Sequence, residues 1–386
     1  MNTMNITYEP LIKIISDKKF AVLCHSASVN IDGIHILQWL DQKKIKPHVV
    51  FTPEHGLFGE AQDMVSVKDN FLKNTKCYSL YGDTFESLSP TKEMLKEIEC
   101  IIVDLQDIGS RYYTYVWTAF LVMKECAKLR ISMYVIDRPN PITGLSVSGG
   151  RIEKGYESFV GLLSLPTRHG LTIGEILLYA KDNQKIDTEI QVIKIEGWKR
   201  NFWFDETNAL WVFPSPNMPT LDTAILYPGL CLIEGTNLSE GRGTTKPFEL
   251  IGAPFLDEWK FATALNQKKL DGVYFRPQRF LPTHQKHKGM SCGGVQIHIL
   301  NRNTINPILV GMAIIESAYI LSPENFRWRT EKYEFIDTFP AIDLLIGNNT
   351  FRKAIESGIS ICDFYSEWDL SSQALKEHIK HYHLYE

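Results

Sequence analysis

Between residues 20 and 137, short β-branched runs alternate with helical patterns, and few architectures accept that alternation. The runs FAVLC (20–24), HVVFT (48–52), IIVDL (101–105) and MYVID (133–137) have strand length and strand composition. Between them lie the helix-like IHILQWLDQKK, a Gly-containing loop followed by LKEIE, and the helix-like TYVWTAFLVMKECAKL. Strands spaced by amphipathic helices build βαβ units with right-handed crossovers, and so a parallel sheet covered on both faces. The expected fold class is α/β.

The pattern loosens after residue 150. A helix is expected near Ile173–Ala180 and a strand near Ile190–Ile195, followed by Pro- and Gly-rich loops across 211–255 that hold fixed turns. Strands are expected at GVYF (272–275) and GVQIHIL (294–300), with helices near 307–320 and 372–381. This reads as a smaller α+β lobe. A chain of 386 residues exceeds the range over which one core keeps growing, so two lobes are expected, 1–247 and 248–386.

Charge and composition exclude several classes. The net charge is −4 with acids and bases interspersed, and no basic tract could neutralise a row of phosphates, which argues against a nucleic-acid partner. No stretch approaches the roughly 20 apolar residues of a membrane span. The segment MNTMNITYEPLIKIISDKKF lacks an uninterrupted apolar h-region, so a cytoplasmic location is expected. Seven cysteines are odd in number and contain no C-x-x-C, which predicts buried reduced thiols. Dinucleotide, Walker A, zincin and serine-elbow signatures are missing, and no cofactor or metal is expected.

In open α/β sheets, ligands bind beyond the carboxyl ends of the strands. Here those ends read His25-Ser26, Pro53-Glu54-His55-Gly56, Asp104-Leu105-Gln106-Asp107 and Asp137-Arg138-Pro139-Asn140. Four consecutive strands deliver polar groups to one edge, which predicts a site holding Glu54, Asp107 and Asp137. Glu54 is the sharpest candidate, because Gly56 and Gly59 let the backbone turn around it. Apolar Phe51, Leu57 and Phe58 would desolvate its carboxyl, as a general acid requires. In DLQDIGSRYYTY (104–115), Arg111 is a fork for a substrate carboxylate or a partner of Asp107, and the tyrosines, Tyr112 among them, suit core as well as sugar stacking. EGTNLSEGRGTT (234–245) concentrates Glu234, Asn237, Glu240 and Arg242 between glycines, an anion nest with an amide able to orient acetamido groups. His169 precedes a helix in TRHG.

The blocks FTPEHGLFGE, VDLQDIGSRYYTYVWT, IDRPNPITG, PTRHGLTIGE, WVFPSPNMPT, LIEGTNLSEGRGTTKPFE, GVYFRPQRF and CGGVQIHI run in order along nearly the whole chain. Together they resemble the NamZ-type exo-β-N-acetylmuramidases. The resemblance implies a Rossmann-like N-terminal domain, a smaller C-terminal domain and an active cleft between them. It implies release of N-acetylmuramic acid from the non-reducing end of peptidoglycan-derived saccharides, with Glu54 as the leading catalytic residue. Where the family has a T-N-x-T-G-like sequence after the first strand, this chain has CHSASVN, so His25 and Ser26 inherit no role. Family members are often exported, in conflict with the location read from residues 1–20.

Such a substrate needs a proton donor, here Glu54. It also needs a second carboxylate or its own 2-acetamido oxygen, and a cation for the lactyl carboxylate. Asp107, Glu234 and Glu240 compete for the second acidic role. Arg242 with the Gly241–Thr244 turn is the first choice for the lactyl group, and Arg111 the second. His55, Tyr112, Asp137, His169 and Asn237 complete the expected sugar-binding set. Two alternatives remain at this level: a metal-assisted hydrolase using Glu54, His55, Asp104 and Asp107, and a muropeptide-binding protein without catalysis.

Overall fold

The hydrophobic runs become strands buried on both faces because helices cover each side. The computed structural model describes residues 2–59, 61, 65, 70–72 and 75–386. Its main sheet contains β1 (Phe20–Cys24), β2 (Val49–Thr52), β3 (Asn70–Leu72), β4 (Thr75–Ser79), β5 (Cys100–Asp104), β6 (Ser132–Ile136) and β7 (Ile190–Ile193), in the order β3-β4-β2-β1-β5-β6-β7. Six strands are parallel, and β3 runs antiparallel to β4 at the edge. Residues Ala21 and Leu23 of β1 face one core with α3 (Tyr115–Leu129) and α4 (Ile173–Asn183). The alternate residues Phe20, Val22 and Cys24 face the other, with α1 (Glu9–Ile15) and α2 (Ile36–Gln42). The period of two along the strand therefore divides the apolar run between two helix layers. This is the Rossmann-like α/β architecture.

β3 and β4 were not expected from the sequence. β4, TKCYS, mixes polar and apolar residues and pairs at the sheet margin, so it lacks the continuous apolar signal of β1 and β5.

Further along the chain lies α5 (Leu221–Leu230), whose start is capped by the Thr220 side chain, which accepts from Thr223 N. β8 (Leu250–Ala253), β9 (Val273–Phe280) and β10 (Cys292–Ile299) form an antiparallel sheet ordered β8-β10-β9, covered by α6 (Glu258–Gln267). α7 (Pro307–Leu321) crosses α5 at backbone contact. A Cβ on Gly229 would lie 1.6 Å from Pro307 O, and one on Gly311 would lie 2.1 Å from Gly229 O. Four further helices follow: α8 (Ala341–Ile346), α9 (Thr350–Glu356), α10 (Ile361–Leu370) and α11 (Gln373–Ile379).

Residues from both extremes of the chain dock on the segment 195–206. Asn2 N donates to Glu206 O (2.7 Å) and Asn5 N to Glu196 O (2.9 Å), while Arg200 N donates to Glu386 O (2.9 Å). All seven cysteines are free thiols; six are buried, and Cys362 is exposed. Among the described residues, no helix is long and apolar enough to cross a membrane.

Candidate active site

Because β2, β5 and β6 are parallel, the segments that follow them leave from one edge, bringing Glu54, Asp107 and Asp137 to the same side of the sheet. Glu54 sits in a tight turn. Gly56 N donates to Pro53 O (3.2 Å), and His55 and Gly56 have φ of 71° and 77°. The turn buries Glu54, whose Oε2 accepts from Thr114 Oγ1 at 2.8 Å. The expected apolar surroundings differ in detail: Phe58 is 66% exposed, and the aromatic cover comes from Tyr113 and Tyr115, with the His55 ring edge-on to Tyr115. His55 Nδ1 lies 2.8 Å from Ala61 O. Glu60, the last residue of the FTPEHGLFGE block, lies outside the described residues.

The loop after β5 presents Tyr112, Tyr113 and Thr114. Asp107 Oδ2 accepts from Gly109 N (2.7 Å), and Gly109 has φ 84°. Arg111 is fully buried. Its Nη1 donates to Gly150 O (2.8 Å) and Leu165 O (2.5 Å), and its Nη2 to Leu345 O (2.9 Å). The guanidinium therefore fastens the loop to Gly150, Leu165 and Leu345 through carbonyls, holding a buried charge without a carboxylate while its Nε makes no hydrogen bond. It neither pairs with Asp107 nor lines the cleft formed by the residues around it. Asp107 faces His169 instead, with Nε2 3.3 Å from Oδ2, while His169 Nδ1 accepts from Leu171 N. Neither side chain lines the cleft, and Asp107 Oδ1 has no hydrogen-bond partner.

The facing wall comes from the Gly-rich segment. Glu234 Oε1 accepts from Arg242 Nη2 (2.7 Å), and Oε2 accepts from Tyr333 OH (2.7 Å). The Arg242 guanidinium lies over the Phe248 ring, 5.1 Å from its centroid, with Nε 3.7 Å from Glu240 Oε1. Lys286 Nζ approaches Glu240 Oε2 at 3.1 Å and donates to Ile233 O and Thr236 O. Two buried acids and two bases thus balance one another. Burial pushes the Lys286 ammonium below its ordinary pKa, against the pull of Glu240 and Glu234. Asn237 bonds Asn325 O and Arg327 N and so braces a neighbouring loop.

One narrow cleft gathers Glu54, His55, Tyr112, Glu234 and Arg242 from the expected set. Asp107, Arg111, Asp137, His169, Asn237 and Glu240 do not line it. Asp137 accepts from Thr172 Oγ1, Gly174 N and Tyr385 OH, tying α4 and residue 385 to the sheet edge. The cleft also holds Tyr113, Thr114, Asn217, Tyr227, Phe248, Tyr333 and Glu334. Asn217 was hinted at by the Pro-rich WVFPSPNMPT segment. Tyr333 and Glu334 stand in a polar stretch, WRTEKYEFID, without a glycine or strand boundary to single them out.

The cleft chemistry combines three carboxylates, one guanidinium and neutral donors. Burial pushes the Tyr112 phenol up to about 12 and the Tyr113 phenol higher, so both stay protonated donors. Their oxygens lie near Thr167 and Ser215 respectively but make no hydrogen bond of normal geometry. Among the described residues, no three His, Cys, Asp or Glu side chains form a metal-binding group. Asp104 of the alternative metal set is taken by Arg138 (2.6 Å) and Tyr8 (2.8 Å).

A doubly wound sheet that gathers acids, phenols and one guanidinium at its carboxyl edge is an α/β enzyme framework for a hydroxyl-rich substrate. Residues 20–222 match the N-terminal family model of the exo-β-N-acetylmuramidase NamZ, and residues 225–385 match the C-terminal one; the chain belongs to this family. It is 39% identical over 378 residues to the peptidoglycan β-N-acetylmuramidase NamZ of Bacillus subtilis strain 168, covering 97% of this chain and 88% of that protein. Crystal structures of two DUF1343 family proteins from Bacteroides fragilis NCTC 9343 are also similar. One has a TM-score of 0.86 at 28% identity, covering 98% of this chain and 97% of the other. The second has 0.75 at 27% identity, covering 98% and 96%. The cleft draws residues from both family segments: Glu54 to Met218 from the first, Tyr227 to Glu334 from the second.

Proposed function

We propose that this chain hydrolyses the β-glycosidic bond of N-acetylmuramic acid at the non-reducing end of peptidoglycan-derived saccharides, with Glu54 as proton donor to the leaving oxygen. The observation that carries this reading is the convergence of Glu54 with Glu234, Glu334 and Arg242 in one buried cleft of a NamZ-family chain. Glycoside hydrolysis asks for a proton donor and an anionic partner for the developing oxocarbenium ion, and a cleft rich in carboxylates supplies that field. Arg242 is the only Lys or Arg lining the cleft among the described residues. The lactyl carboxylate that separates muramic acid from glucosamine is therefore assigned beside it, with the Tyr112 and Tyr113 hydroxyls as neutral donors. Glu234 and Glu240 hold the guanidinium in place.

The direct test is incubation of the purified protein with N-acetylmuramyl-β-1,4-N-acetylglucosamine and with the matching diacetylchitobiose. Release of free N-acetylmuramic acid from the first, with little cleavage of the second, is the expected result. Equal cleavage of both, or cleavage of neither, contradicts the reading.

A further inference from the structure

Glu334 sits at the tip of a two-residue turn. Tyr333 N donates to Ile336 O (2.8 Å) and Ile336 N to Tyr333 O (2.9 Å), and the two residues between them have φ of 44° (Glu334) and 72° (Phe335). Positive φ at both central positions is type I′ geometry, ordinarily filled by Asn-Gly or Asp-Gly. Neither Glu nor Phe suits it, because the Cβ crowds the following carbonyl. The surroundings enforce the turn. Phe335 packs edge-on against Tyr81 (5.9 Å) and Phe159 (6.3 Å), the Arg329 guanidinium lies 4.9 Å from the Tyr333 ring centroid, and the Tyr333 hydroxyl is bound to Glu234. The effect is to bury the Glu334 side chain, 3% exposed, in the cleft that holds Glu54.

Within the cleft Glu334 Oε2 accepts a long hydrogen bond from the Tyr81 hydroxyl (3.5 Å), and the other acids are placed differently. Both oxygens of Glu234 accept short hydrogen bonds, one from a guanidinium and one from a phenol, which fits an anion kept for positioning. Asp107 and Glu240 do not reach the cleft. The Tyr112 and Tyr113 hydroxyls, buried in the cleft without a hydrogen bond of normal geometry, add polar atoms for a substrate to engage.

Resting on the hydrolase reading above, we propose that Glu334 is the second catalytic carboxylate, the proton acceptor for the water that attacks the anomeric carbon. The C1–O bond breaks with its electron pair passing to the leaving oxygen, which takes the Glu54 proton. The water oxygen bonds to C1 and its proton passes to Glu334; exchange with solvent then returns both acids to their starting states. The paired carboxylates stabilise the positive charge that develops on the ring between these events.

The experiment measures wild type, Glu334→Gln and Glu334→Gly on the muramyl disaccharide and on an aryl β-N-acetylmuramide with an activated phenol. Wild-type cleavage of the disaccharide settles the hydrolase reading independently of Glu334. The Gln variant is expected to lose ~10²–10⁴-fold in kcat on both substrates, with little change in KM or melting temperature. The Gly variant, freed from the left-handed strain, is expected to melt at or above the wild-type temperature while equally inactive. Activity of Glu334→Gln within threefold of wild type would overturn the proposal. So would a loss confined to the disaccharide, a covalent glycosyl adduct on Glu334, or failure of both variants to fold.

Discussion

Substituting Glu54 with Gln keeps the shape that accepts the Thr114 hydroxyl and removes only the transferable proton. Turnover of the muramyl disaccharide should fall ~10²–10⁴-fold, whereas an activated aryl glycoside, which leaves without protonation, should be largely spared. Steady-state kinetics on the pair of substrates checks this, and equal losses on both would reassign Glu54 to nucleophilic attack. Arg242 calls for a milder change, because Arg242→Ala would take from buried Glu234 its guanidinium partner, while Glu240 would keep Lys286, and so threaten folding. Arg242→Lys retains the charge and loses the planar fork. It should lower kcat/KM for the muramyl substrate by about 1.5–3 kcal/mol, roughly 10–150-fold, with a smaller effect on a glucosamine analogue. Equal losses on the two would move the lactyl contact to the tyrosine hydroxyls. The place of Glu54 in the cleft was readable because a strand end, a proline and two glycines surround it. Arg111 did not declare its role, since a guanidinium held by carbonyls looks in sequence like one awaiting a carboxylate. Glu334 depends on a turn whose φ values contradict its own residue type.

Elements buried on both faces were the legible ones. β1, β5 and β6 carry unbroken apolar runs because helices cover both sides, and α3 and α7 are long enough to show their extent. β4 at the sheet margin and α5, which contains Pro228, were not legible, since one mixes polar and apolar residues and the other breaks a propensity rule. α5 tolerates its proline within a tight crossing on α7, where Gly229 and Gly311 let the two backbones touch. Gly311→Ala should therefore cost more than the 1–3 kcal/mol of ordinary core overpacking, because its Cβ would meet backbone that cannot rotate away. Urea denaturation should show this as a loss of soluble, cooperatively unfolding protein or a large drop in midpoint. A near-normal midpoint would mean that the helices can slide apart at little cost.

At the scale of the whole molecule, Asp137 links three distant parts: the sheet edge, α4 and residue 385. Burial, with Glu175 nearby, pushes its carboxyl up to about 6, against the opposing hydrogen bond from Tyr385. The ordinary unfolded value is near 3.9. Below about pH 4 both states carry the proton and the residue imposes no ionisation cost. Between about 4 and 6 the native state holds a proton that the unfolded chain releases, so this contribution weakens as pH rises; above 6 the full cost, on the order of 3 kcal/mol, applies. Asp137→Asn lacks the titration. The stability difference, wild type minus Asp137→Asn, should therefore be larger at pH 5 than at pH 7.5 by denaturant titration, and a difference constant with pH would contradict the assignment.

The segment 195–206 carries a consequence for assembly during synthesis. Its bonds to Asn5 and to Tyr385 each close a separation of about 190 residues, one backward and one forward along the chain. Loop closure on that scale adds little free energy beyond a loop half as long, but it is slow to find. A ribosome delivers residue 200 well before residue 385, so this ribbon waits, half-bonded, until residue 385 has emerged. Until then Asp137 lacks the Tyr385 hydroxyl. In a nascent chain the bond between Asp137 and Tyr385 is thus completed only after 248 further residues have been made.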